Sequence, residues 1–116
     1  MVNEICHVEI PVLEKEKAKE FYQAVFEWKI DFNYLPNYGL VDREEGVSIG
    51  FPLVSELPTT NLVVYIEVEN IEMKLATIEK AGGNTISNKS QISPEIGYSA
   101  IFTDCFGNQI GLFSRT

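Results

Sequence analysis

A chain of 116 residues is the length of one ordinary domain, and at that size roughly 65% of the unfolded surface is buried on folding. Hydrophobic residues at 45% and charged residues at 22% are globular values and exclude a disordered or membrane-spanning composition. The formal charge of -8 leaves no Lys/Arg surplus for phosphates or anionic headgroups, which argues against nucleic acid and membrane partners.

The two cysteines, Cys6 and Cys105, form no disulfide framework and no paired zinc motif. The N-terminal stretch has no basic segment followed by an apolar run, so a cytoplasmic protein is expected.

The first element is Ile5 to Val12. Cys6, Val8, Ile10 and Val12 share one phase of a strand, and His7 and Glu9 share the other. That second phase carries the only histidine of the protein beside a carboxylate. Ala18, Phe21, Tyr22, Val25 and Phe26 follow at spacings of three and four, which predicts a helix with one apolar face. Trp28 and Ile30 open a second extended stretch, and residues 34–38 read as irregular. Gly39 to Val41 reads as a short strand, Arg43 to Gly46 as a turn and Val47 to Val54 as an alternating strand.

Residues 55–61 are polar, contain Pro58 and lack periodicity, so they read as a linker. The pattern then starts again. Leu62, Val64, Ile66 and Val68 alternate with Val63, Tyr65, Glu67 and Glu69. A helix follows on Ile71, Leu75, Ile78 and Ala81, with Gly82 and Gly83 as its stop. Residues 84–86 extend away, 87–97 read as a loop, and Tyr98–Thr103 and Gln109–Ser114 read as strands around a tight turn. An offset of 56 carries His7 to Val63, Ile10 to Ile66 and Ile30 to Ile86; an offset of 61 carries Gly46, Ile49 and Gly50 to Gly107, Ile110 and Gly111. The expected architecture is α+β: two tandem βαβββ modules, about 1–56 and 61–116, each an antiparallel-rich sheet with its helix on one face.

The uncovered faces are predicted to enclose a ligand hollow. Their side chains are His7, Glu9, Ser48, Gly50 and Pro52 from the first module, and Val63, Tyr65, Glu67, Gln109, Gly111 and Phe113 from the second. Apolar surface with a few polar groups is the usual make-up of a small-molecule pocket.

Several segments, in order, resemble the vicinal oxygen chelate superfamily, which includes glyoxalase I, bleomycin-resistance proteins and extradiol dioxygenases. They are His7 to Val12, Lys19 to Tyr22 with Val25 to Trp28, Lys80 to Asn84, and Asp104 to Ile110, where Cys105 replaces the usual proline of a D-P-x-G-N turn. The resemblance covers nearly the whole chain. It implies a divalent metal held by one ligand in each module's first strand and one in each module's last. Carried over, those positions are His7, Gly50, Val63 and Gly111, so only the first has a ligating side chain. Glu9 and Glu67 lie two residues along their strands, a displacement of about 6.6 Å, which ligand bonds of about 2.1 Å do not absorb. No metal and no cofactor are therefore expected. The two glycines are expected to open space for an organic ligand.

Three functions follow. The first is a metal-free binding protein of the bleomycin-resistance type. Tyr38, Tyr65, Tyr98 and Phe113, with Trp28 near the rim, would stack on a planar small organic molecule, and Glu9 and Glu67 would favour a cationic one. The second is a glyoxalase-like isomerase or lyase with His7 and either Glu9 or Glu67 as acid and base. A dioxygenase is disfavoured, because its ligand set needs two histidines. The third is a non-catalytic dimeric protein with a vestigial pocket. A homodimer is expected from the resemblance.

Overall fold

The computed structural model describes residues 7–41, 45–58 and 63–116. Two compact units, Met1–Pro58 and Thr59–Thr116, make up the chain. Expectations for Cys6, Leu62, the turn residues Arg43 and Glu44, and linker positions 59–61 lie outside the described residues.

In the first unit the order is β1 (His7–Glu9), α1 (Lys15–Phe26), β2 (Asp31–Leu35), β3 (Tyr38–Val41) and β4 (Ser48–Pro52). The sheet order is β1-β4-β3-β2, with β1 parallel to β4 and the other pairs antiparallel. Backbone bonds from Ile10 N–H to Gly50 O and from Val12 N–H to Pro52 O, both 2.9 Å, continue the parallel pairing past β1 to Val12. The predicted phase holds. Ile10, Val12, Ile49 and Phe51 are buried, and His7 and Glu9 are exposed.

Helix α1 buries Ala18, Phe21, Tyr22 and Val25, the stripe expected from their spacing. It ends where Glu27 adopts a left-handed conformation, φ 60°. The Glu27 N–H then donates to Gln23 O at 3.0 Å and the Trp28 N–H to Tyr22 O at 3.2 Å, which satisfies two otherwise orphaned carbonyls. That reversal folds Trp28 back onto the helix. Its indole stacks on Tyr22, centroids 5.6 Å apart and planes within 6°, while Tyr22 meets Phe51 of β4 at 5.1 Å. Each fully buried side chain of this aromatic core contributes about 1.5–3 kcal/mol.

One stretch differs from expectation. Residues 34–38 are not irregular, because β2 runs to Leu35, β3 begins at Tyr38, and Leu35 pairs with Tyr38. The Pro and Asn that read as a loop occupy a turn of only two residues. Asn37 takes a left-handed φ of 54°, which asparagine tolerates, after a proline whose fixed φ suits the preceding turn position.

In the second unit the order is β5 (Tyr65–Glu67), α2 (Ile71–Lys80), β6 (Asn84–Ser93), β7 (Gly97–Thr103) and β8 (Gln109–Ser114), in a sheet ordered β5-β8-β7-β6. Asn70 caps α2 by accepting from the Met73 N–H at 3.0 Å, and Ile71, Leu75 and Ile78 are its buried stripe. Beyond Gly82 (φ 107°) the Gly83 N–H closes the helix onto Ile78 O at 2.9 Å. Here β6 is the main departure. The sequence predicts three extended residues and then a loop, whereas a strand of ten residues runs along β7, with register shifts between Thr85 and Ser87, Ser87 and Ser90, and Gln91 and Ser93. The ladder uses backbone groups, so a polar run sustains it at a sheet edge where no core phase is needed. Pro94 falls just past the strand, where it removes no ladder bond.

The two sheets share one register. Glu9 pairs with Gly50 in the first and Tyr65 pairs with Gly111 in the second, matching the offsets of 56 and 61.

Candidate functional site

On the face of the first sheet opposite α1, four side chains from three strands form a hydrogen-bonded chain. His7 on β1 pairs with Ser48 on β4, and the His7 Nδ1 lies 2.5 Å from Ser48 Oγ. His7 Nε2 lies 2.7 Å from the Tyr38 hydroxyl, and that hydroxyl donates to Glu9 Oε2 at 2.7 Å. Strand alternation puts His7 and Glu9 on one face, and Ser48 and Gly50 on the same face of β4. Tyr38 reaches them because β3 pairs with β4 two rows over: Tyr38 opposes Pro52 and Leu40 opposes Gly50.

The donors in this chain have a forced direction. An ionised carboxylate only accepts, so the Tyr38 O–H points at Glu9. The Tyr38 oxygen must then accept from His7, so Nε2 carries a proton. In the neutral imidazole that leaves the basic lone pair on Nδ1, facing Ser48, and the Ser48 O–H donates to it. Burial pushes the Tyr38 phenol up, and the hydrogen bond and negative charge of Glu9 add to the effect, to about 12. Tyr38 is therefore a phenol at neutral pH, and its hydroxyl links Glu9 to His7.

Tyr38 also explains Gly50. A Cβ at Gly50 would overlap the Tyr38 hydroxyl and ring, so the glycine is what lets the tyrosine lie across the strand. The second unit repeats the device, since a Cβ at Gly111 would overlap the Tyr65 ring. This corrects one expectation. The two glycines do not leave open space for a ligand; each is covered by a tyrosine of its own sheet.

Tyr65, Glu67 and Phe113 share a face of the second sheet, where Glu67 pairs with Phe113. Arg115 places its guanidinium 5.8 Å from the Phe113 ring centre and its Nε 3.3 Å from Glu67 Oε2. Both ends of that ion pair are well exposed, so it adds little stability. Gln109 and Val63 are exposed in the same unit.

Two of the expected ligand contacts pack on the helix side of their units. Trp28, half-buried and outside the strands, packs on Tyr22, Phe26 and Phe51 at 5.1–6.4 Å. Tyr98 alternates in phase with buried Ala100 and Phe102 and lies under Lys89, whose Nζ is 4.7 Å from the ring centre and 3.5 Å from Glu72 of α2. An aromatic ring serves a core as readily as a pocket, and composition does not separate the two. Ser48 sits on the face expected of it, in phase with Gly50, and its contact with His7 joins it to the network.

Among the described residues, no group of three His, Cys, Asp or Glu side chains gathers closely enough to hold a metal ion. Positions 50 and 111 accept no ligating side chain unless Tyr38 and Tyr65 move. The residues present do not fit the four-ligand divalent site that the resemblance implies.

No family model matches the chain. A glyoxylase-like domain-containing protein from Didymella fabae is 24% identical over 123 residues, spanning 97% of this chain and 94% of its own length. A glyoxalase/bleomycin resistance protein/dioxygenase family enzyme from Burkholderia phytofirmans has a TM-score of 0.78 at 17% identity, covering 97% of this chain and 99% of the other. The genomically encoded fosfomycin resistance protein FosX from Listeria monocytogenes has a TM-score of 0.79 at 16% identity, covering 100% and 94%. Two four-stranded mixed sheets, each with its helix, thus define an α+β protein with the vicinal oxygen chelate fold. The fold expected from the ordered motifs is the one these structures share, and the Didymella relative is similar to the chain over nearly all of its length.

Proposed function

We propose that the protein binds a small organic molecule in the manner of glyoxalase/bleomycin-resistance proteins, without a metal ion, on the sheet face that carries His7, Tyr38 and Glu9. The observation that carries this reading is the Ser48–His7–Tyr38–Glu9 chain itself. This network presents a carboxylate and an imidazole at fixed positions on one sheet face. Glu9 is exposed and suits a cationic or hydroxyl-bearing ligand. A complex of the Listeria protein holds Mn(II) and 1S,2S-dihydroxypropylphosphonic acid. In the present chain, Gly50, Val63 and Gly111 stand at three of the four positions where the resemblance implies ligands of such an ion.

A thermal-shift screen with planar cationic compounds tests the reading. Hits are expected to raise the melting temperature, and Glu9→Gln is expected to weaken them; a screen without hits sinks the proposal. Mn(II), Ni(II) and Zn(II) are expected to leave the melting temperature unchanged. Stoichiometric metal in protein purified without chelator would overturn the metal-free part.

The link from His7 through Tyr38 to Glu9 also favours a second reading, a glyoxalase-like lyase or isomerase with His7 as the base. Turnover that survives His7→Ala excludes it.

A further inference from the structure

A hydroxyl within hydrogen-bond reach of a base, with that base oriented by a third group, is the general arrangement of an activated nucleophile. The first sheet builds it from Ser48, His7 and the Tyr38–Glu9 pair. Ser48 Oγ lies 2.5 Å from Nδ1, the imidazole atom left basic once Nε2 donates to Tyr38. Glu9 accepts the Tyr38 proton, which leaves the Tyr38 oxygen to accept from His7 and so orients the imidazole. Ser48 is half-buried, and its neighbours His7 and Glu9 are exposed, so a small molecule on this face reaches the hydroxyl. Gly50 adds to the device, since only a residue without Cβ lets Tyr38 lie between His7 and Glu9.

We propose that Ser48 is a nucleophile activated by His7, and that the protein cleaves small activated esters at this position. In the step, Ser48 Oγ bonds to the ester carbonyl carbon and its proton passes to His7 Nδ1. The carbon–oxygen bond to the leaving group breaks, and the departing alkoxide takes the proton from Nδ1. Water then attacks the acyl-serine, gives its proton to Nδ1, and releases the acid as Ser48 recovers that proton. The sum is one ester and one water converted to one acid and one alcohol. Tyr38 is a positioning residue and touches no reacting atom.

The inference rests on the small-molecule face proposed above, and a covalent probe separates the two. Incubation with a fluorophosphonate forms a bond from Ser48 Oγ to phosphorus, releases fluoride and sends the proton to His7. Intact-mass spectrometry is expected to show one phosphonyl adduct per chain, with peptide mapping placing it on Ser48. Ser48→Ala is expected to abolish the adduct. His7→Gln is expected to slow labelling, and para-nitrophenyl acetate hydrolysis, on the order of 100-fold, with Tyr38→Phe intermediate. Circular dichroism of each variant checks that the sheet is formed. A folded wild-type protein that gains no adduct, or an adduct that persists in folded Ser48→Ala, overturns the assignment. Thermal-shift hits in the same sample would keep the binding reading alive while the nucleophile falls.

Discussion

The Tyr38 ring lies across Gly50, its hydroxyl occupying the place a Cβ at position 50 would take. The pair joins two strands through a contact that neither residue makes alone. Gly50→Ala is expected to push Tyr38 off His7 and Glu9 at a cost of about 1–3 kcal/mol, the range of a tight small-to-large change. Because the overlapping atoms are the tip of one side chain, Tyr38→Ala should absorb most of that cost. Denaturant unfolding of both single variants and the double variant gives the coupling. A value below about 0.5 kcal/mol would show that the two residues act independently.

His7 is the only histidine, so its ring nitrogens are assigned without ambiguity in a nitrogen-15 NMR spectrum. The neutral ring is expected as the Nε2–H tautomer, because Tyr38 needs a donor on that side. Tyr38→Phe removes the acceptor and should yield a mixture of tautomers. A wild-type spectrum showing Nδ1–H would reverse the direction of the whole chain.

The phenol of Tyr38 predicts an alkaline limit. In the unfolded chain a tyrosine ionises near 10; in the folded protein Tyr38 does so only at about 12. The folded value is raised, so the contribution of the neutral phenol is fully present below about pH 10 and is lost as pH rises toward 12. Unfolding free energy is expected to fall across that window. Tyr38→Phe should fall less steeply, and equal slopes for the two proteins would refute the link.

Trp28 is the single tryptophan and stacks, half-buried, on the core residue Tyr22. Trp28→Phe is expected to cost about 1–2 kcal/mol, through lost contact with Tyr22 and Phe51, and to leave affinity for thermal-shift hits unchanged. Weaker binding by a folded Trp28→Phe would return this residue to the ligand site.

The order of elements was legible because each rests on a local period. Strand phase was readable from Ile10 against Glu9 and from Ile49 against Gly50, and helix faces from Phe21 with Val25 and Ile71 with Leu75. The repeat was readable too, and its offsets reappear as Glu9–Gly50 and Tyr65–Gly111 pairing. What was misread, residues 34–38 and 87–93, involves strands at sheet edges. In β6 Asn and Ser look like loop residues although backbone bonds sustain the ladder, and at 36–37 Pro and Asn form a turn of only two residues between paired strands.

His7, Glu9 and Gly50 were all visible in the chain as members of one face, and the missing ligands at 50, 63 and 111 were visible as plain residue identities. That Tyr38 would stand between His7 and Glu9 was not. The two contacts span 31 and 29 residues and depend on a two-residue turn, on the register of β3 against β4, and on a glycine that admits a ring. Hydrophobic period reports only which side of a strand faces the core. Which side chains then meet across strands is set by register, and register comes from the assembled sheet.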